Sequence, residues 1–83
     1  LKSDKARALA YYARACIETG ENEKAHQFLA EAREIYQEEK NPVGLGIIKF
    51  IEAKLYFVEK NIPKAFELVQ VAEPIFTNAG LLG

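Results

Sequence analysis

The stretch LGIIKFIEAKLYFV, residues 45–58, decides how this chain folds. Wound at 100° per residue, it puts Gly46, Ile47, Ile48, Phe50, Ile51, Ala53, Leu55, Phe57 and Val58 on an arc of roughly 220°, interrupted only by Lys54. A surface helix with one buried face needs about half that arc. This helix is therefore expected to have neighbours on several sides, in a small all-α domain built around it.

Helix breakers divide the rest of the chain into three more segments. Ser3 or Asp4 is expected to cap a first helix over 5–19, ended by Gly20. Asn22 caps a second helix running to about residue 40. Asn41-Pro42 then supplies a cap followed by proline at the first helical position, where its missing N–H costs nothing. The third helix runs over about 43–60, and Asn61 and Pro63 open a fourth that ends near 78, before Gly80. Such short links between helices predict antiparallel neighbours. Pro74 removes the N–H that would bond Gln70, at a cost of about 3 kcal/mol in a helix interior. That predicts a kink or break between Gln70 and Pro74. Gly44 and Gly46, in the first turn of the third helix, offer the second helix a close approach.

An internal repeat joins the second and fourth helices at an offset of 40 residues. Ala25 pairs with Ala65, Phe28 with Leu68, Leu29 with Val69, Ala32 with Ala72, Ile35 with Ile75 and Tyr36 with Phe76. All fall on one stripe of about 120°. Unrelated amphipathic helices would share the period but not this order of small and large. The first and third helices agree less well: Ala13 pairs with Ala53, Arg14 with Lys54 and Cys16 with Tyr56, yet Leu9 and Tyr12 meet Lys49 and Glu52. An offset of 38 would instead pair Leu9 with Ile47 and Tyr12 with Phe50, so the register of the third helix stays open.

Composition narrows the function classes. With 83 residues, folding buries only about 60% of the unfolded surface, which argues for one small domain and against a large enclosed active site. A net charge of −1 gives no electrostatic drive towards nucleic acid or an anionic membrane. The single cysteine, Cys16, cannot form an internal disulfide, which fits a reducing compartment. Lys49, Glu52 and Lys54 break the longest apolar run short of a membrane span. With no signal-peptide pattern, cytoplasmic localisation is the default. A start at Leu1 and the closing AGLLG (79–83) read as a fragment of a longer array.

Two helix-turn-helix units with alanines at these spacings resemble tetratricopeptide repeats. The first unit, about 4–40, carries Leu9, Tyr12, Ala13 and Cys16 in its A helix, Gly20 at the turn, then Ala25, Leu29 and Ala32 in its B helix. The second, about 43–80, keeps Ala53, Tyr56, Ala65, Val69 and Ala72. The spacing is longer than the family's usual period of about 34 residues, and Lys49 and Glu52 depart from its pattern. The resemblance implies two antiparallel helical hairpins stacked as a right-handed superhelix, and protein or peptide binding along the concave face lined by A helices. It implies no catalysis. A closed four-helix bundle or a helical dimer is the alternative architecture.

Candidate chemistry is sparse. Glu23 and His26 form an E-x-x-H, a pattern that holds metal in di-iron bundles. Those sites need a second copy; His26 is the only histidine, and Phe66 stands at its repeat position. An exposed histidine near a helix start is the plainer reading. Cys16 lies on the apolar side of its helix, as small core thiols do. Glu31, Glu34, Glu38 and Glu39 lie off the apolar stripe and read as a solvated face. No metal and no cofactor are expected.

The groove side of the A helices is the more informative set. On the first helix it carries Arg7, Ala10, Arg14, Ile17 and Glu18; on the third, Ile47, Phe50, Lys54, Phe57 and Val58. Arg14 and Lys54 occupy equivalent positions, a basic pair amid apolar surface. The expected partner-binding residues are therefore Arg7, Arg14, Ile17, Ile47, Phe50, Lys54, Phe57 and Val58. They suit an amphipathic helix or an extended peptide carrying a carboxylate. The same apolar residues could equally meet a further repeat or a second copy of the chain, a self-association seam.

Overall fold

The computed structural model describes residues 2–78 and Gly80. Among them the chain forms four α-helices of 17 residues each: α1 (Lys2–Glu18), α2 (Asn22–Glu38), α3 (Pro42–Val58) and α4 (Ile62–Asn78). The fold is all-α, and no described helix is long and apolar enough to cross a membrane. Helix starts at 2, 22, 42 and 62 recur every 20 residues, so α1 and α3 stand in the same 40-residue register as α2 and α4. The offset of 38 is thereby discarded. Of the residues 79–83, only Gly80 lies within the described part.

The turns repeat as strictly as the helices. Gly20, Lys40, Lys60 and Gly80 all have positive φ, at 82°, 52°, 66° and 77°. After each of the first three, the next N–H reaches back to close the helix end: Glu21 to the Cys16 carbonyl at 2.8 Å, Asn41 to Tyr36 at 3.0 Å and Asn61 to Tyr56 at 2.8 Å. This left-handed closure satisfies carbonyls that the last turn leaves free. It also folds each helix back antiparallel on its predecessor.

The start signals hold in part. Asn41 accepts the Gly44 N–H at 3.0 Å, with Pro42 opening α3. Asn22 does not cap α2. Glu21 occupies that place without a side-chain cap bond, and the Asn22 Oδ1 is buried without a partner. Glu21 instead accepts from Lys24 at 3.2 Å and Thr19 at 3.1 Å. α1 starts before its expected caps, so Ser3 and Asp4 lie inside it. α4 runs unbroken through Pro74. Pro74 and Gln70 are both exposed, so the missing bond falls on the solvent side while Ala72 and Phe76 hold the buried side.

The six repeat pairs match in burial nearly pair by pair: Ala25, Ala32, Ala65 and Ala72 are closed off, as are Tyr36 and Phe76. One apolar cluster draws on α1, α2 and α3, with Leu29, Ile48 and Leu55 fully enclosed. α3 lies in the groove between α1 and α2, its Ile48, Ile51 and Leu55 completing their core. α4 packs on α3 alone, which gives an open slab of 31 × 30 × 17 Å rather than a closed four-helix bundle.

α3 is squeezed at its start by equivalent aromatics. A Cβ on Gly44 would stand 2.6 Å from Cε1 and 2.7 Å from Cγ of Tyr36; one on Gly46 would stand 3.1 Å from Cζ of Phe76. Glycine is required at 44 for α2 to come this near. The charges that seemed out of place on α3 are accommodated too. Glu52 is buried, and the Arg33 Nη1 donates to it at 2.8 Å across the α2–α3 contact.

Candidate functional site

The A helices leave a cleft on one side of the slab. Arg7, Tyr11 and Arg14 recur at i, i+4 and i+7 on α1, so they share one stripe. That stripe faces Val43, Gly44 and Ile47 across a cleft of about 400 Å³, closed at its base by Tyr36 and Ile51. The cleft continues along α3 past Ile47, Phe50 and Lys54 to Phe76 for about 310 Å³ more. Phe50 and Phe76 stack there with ring centroids 5.1 Å apart and planes 15° from parallel.

Among the described residues, Arg7, Arg14 and Lys54 are the charged ones lining these two connected clefts, and no carboxylate lines either. Arg7 and Arg14 form no ion pair among the described residues, while the Lys54 Nζ sits 4.0 Å from Glu18 at the rim. Ile47, at 41% exposure, and Phe50, at 37%, present partly open apolar walls between the cations.

Phe57 and Val58 are exposed further along α3. Phe57 lines a further groove of about 380 Å³ between α3 and α4, which shares Phe50 and Lys54 with the cleft and has Phe66 and Ile62 opposite. Val58 lines none of the three. Ile17 does not belong to the surface at all: it is buried at 4%, and Ala10 beside it at 6%, because α3 covers that part of α1. Helical angles alone count the whole face as open; the next helix closes over Ala10 and Ile17 and leaves Arg7, Arg14 and Glu18 exposed.

No protein-family model, curated protein or solved structure matches the chain.

The remaining chemistry-bearing groups sit elsewhere. His26 lies near the start of α2 with its side chain 36% exposed. Its Nε2 lies 2.9 Å from Glu59, and its ring meets Tyr56 edge-on at 5.4 Å, bridging α2 to the end of α3. No group of three or more metal-ligating side chains occurs among the described residues. Cys16 is buried in the core. Glu31, Glu34, Glu38 and Glu39 are exposed, with Glu31 and Glu38 pairing to Lys5 and Lys2 of α1, each at 3.3 Å.

Sequence reasoning overlooked Tyr11 in the cleft, although its place between Arg7 and Arg14 marked the face. Phe66, which stands at the repeat position of His26, lines the groove between α3 and α4, and no charge or motif marks it there.

Proposed function

We propose that the chain is a non-catalytic protein–protein interaction scaffold of tetratricopeptide-repeat type, its hairpins stacked in a right-handed superhelix. It acts in the cytoplasm and binds an acidic peptide or helix of a partner along the face of α1 and α3. The observation that carries this reading is the connected cleft with Arg7, Arg14 and Lys54 among apolar walls and no carboxylate lining it among the described residues. Unpaired guanidinium groups bind carboxylates in bidentate fashion, and the apolar walls add affinity that charge alone does not give. Arg7 and Arg14 are two helical turns apart, about 10 Å along the axis. A peptide in the polyproline II conformation advances about 3.1 Å per residue and returns to the same face every third residue, so carboxylates three residues apart match that spacing.

The test is an array of short peptides with apolar residues flanking two carboxylates at that spacing, each paired with a lysine counterpart. The protein should favour the acidic member, and replacing Arg14 and Lys54 with Glu should abolish binding while leaving helicity unchanged. Equal retention of acidic and basic peptides would refute the reading. Self-association is a second reading, favoured by Phe57 and Phe66, each 63% exposed. Light scattering over a dilution series separates it, since a dilution-stable monomer excludes it.

A further inference from the structure

The cleft between α1 and α3 consists of two chambers in series. The first, about 400 Å³, is lined by the rings of Tyr11 and Tyr36, and the second, about 310 Å³, by those of Phe50 and Phe76. Arg14, Ile47 and Ile51 line both and form the sill between them. The two walls share one repeat distance. Arg7 and Arg14 on α1 are seven residues apart, as are Val43 and Phe50 on α3, and seven helical residues rise about 10 Å. At the far end the Lys54 Nζ stands 4.0 Å from Glu18, so the cations without an ion pair among the described residues are the two on the α1 wall. The chain adds its helices at one edge of the slab, α3 on α1 and α2, then α4 on α3 alone, and this leaves the cleft uncovered.

That repeat distance selects the backbone of the occupant. A β-strand turns its third residue to the opposite face, away from the second arginine. An α-helix, about 10–12 Å across, is too wide to enter a valley between helices packed about 8–10 Å apart. A polyproline II helix has three residues per turn and rises about 9 Å in that turn, so each of its three edges repeats at the spacing of the walls. Aromatic-lined grooves suit such segments, which arrive already extended and lose little entropy on docking. Here Tyr11 is 62% exposed and Phe50 37%, one open ring for each chamber. The polyproline II backbone makes no internal hydrogen bonds, so its carbonyls are free to accept from the rim. The Tyr11 hydroxyl is one donor there, and the Asn41 side-chain amide, whose Oδ1 is taken by the Gly44 N–H, is another.

We propose that the cleft recognises a proline-rich acidic segment of a partner protein in the polyproline II conformation. Carboxylates along one edge meet Arg7 and Arg14, and prolines along the next edge enter the two aromatic chambers. This rests on the reading of the cleft as a site for acidic peptides, and adds the backbone conformation and the second edge. The repeating unit is acidic–proline–polar. A three-sided helix lies in the cleft in either direction, and one of the two sets its proline edge on the aromatic floor.

The probes are fluorescent nine-residue peptides repeating Glu-Pro-Ser, Glu-Ala-Ser or Lys-Pro-Ser, titrated into the full chain and followed by anisotropy. Glu-Pro-Ser should bind about tenfold more tightly than Glu-Ala-Ser, and Lys-Pro-Ser should not bind. Tyr11→Ala, at an exposed helical position and with circular dichroism unchanged, should remove most of the preference for proline while leaving Glu-Ala-Ser binding within about twofold. Arg7→Glu with Arg14→Glu should abolish the binding of both acidic repeats. Glu-Ala-Ser bound as tightly as Glu-Pro-Ser, or a proline preference indifferent to Tyr11→Ala, would overturn the proposal while the acidic-peptide reading stands. Binding of neither acidic repeat would also overturn it, and that reading falls too only if the acidic peptides with apolar flanks fail as well.

Discussion

Gly44→Ala tests the tightest contact in the fold. Helix propensity alone favours the change, because alanine is better than glycine by up to about 1 kcal/mol inside a helix and somewhat less in a first turn. Packing opposes it. The new methyl would lie 2.6 Å from Cε1 and 2.7 Å from Cγ of Tyr36, where ordinary contact begins near 3.4 Å. Cγ is the root of the ring, so a rotation about χ2 does not clear it. The ring is only 6% exposed and borders the cleft beside Arg7 and Ile47, so it can yield only by changing its rotamer into that space. Either α2 and α3 separate or Tyr36 leaves its rotamer, and overpacking of this kind costs about 1–3 kcal/mol. The net expectation is a loss of about 1–2 kcal/mol, which for a domain of this size lowers the melting temperature by about 4–15 °C. Thermal and urea unfolding followed by circular dichroism measure it. Gly46→Ala is the internal control: its neighbours stand at 3.1–3.2 Å, so a few tenths of an ångström suffice and the loss should be smaller. Combining Gly44→Ala with Tyr36→Leu should cost less than the two separate losses added together. A Gly44→Ala protein as stable as the parent, or more stable, would refute the reasoning.

Three further predictions concern helix ends and charge. Arg33→Ala strands the buried Glu52 carboxylate and should cost about 1–3 kcal/mol, below the fully buried range because Arg33 is 40% exposed; the double replacement Arg33→Leu with Glu52→Leu should recover most of that loss in urea titrations. Gly20→Ala should lose about 1 kcal/mol by forcing a Cβ into left-handed backbone, whereas Lys40→Gly, at φ 52°, should match or exceed the parent in the same assay. The Glu21 carboxyl is held below its ordinary pKa by hydrogen bonds from Lys24, then Thr19, and by the Lys24 charge. The folded state therefore binds fewer protons than the unfolded one between the two pKa values, so this contribution is present above the ordinary carboxylate pKa and fades as pH falls through the folded value. Glu21→Gln should flatten that part of the acid limb in a stability–pH series.

The all-helical class, the four helices and the 40-residue repeat were legible because each rests on local signals: alanine spacing, Asn-Pro at a helix start, glycine after an end. The left-handed turns at Lys40 and Lys60 were not, since lysine carries no such signal and the closing bonds from Asn41 and Asn61 depend on backbone geometry. The buried stripe of the B helices came through cleanly because one face does one job. On the A helices the same arithmetic failed at Ile17, where the next helix covers what periodicity leaves open. Glu52 misled for the related reason that its partner, Arg33, lies 19 residues away on another helix. Of the cleft, Arg7, Arg14, Ile47, Phe50 and Lys54 could be named from spacing; that they share one connected cavity depends on how α1 and α3 are set side by side.

The distribution of the core bears on how the molecule opens. The enclosed cluster takes residues from α1, α2 and α3 and none from α4. α4 is held through Ala65, Ala72 and Phe76 against a single neighbour, carries Pro74 within its length and leaves Ile62, Phe66 and Val71 about half or more exposed. Elements with few buried contacts open at free energies below that of global unfolding. Native-state hydrogen exchange should therefore find α4 amides exchanging through a subglobal opening, with α2 and α3 amides requiring complete unfolding. Equal protection of α2 and α4 in the free protein would mean that α4 is held as firmly as the rest of the slab, and the inference from its few buried contacts would fail with it.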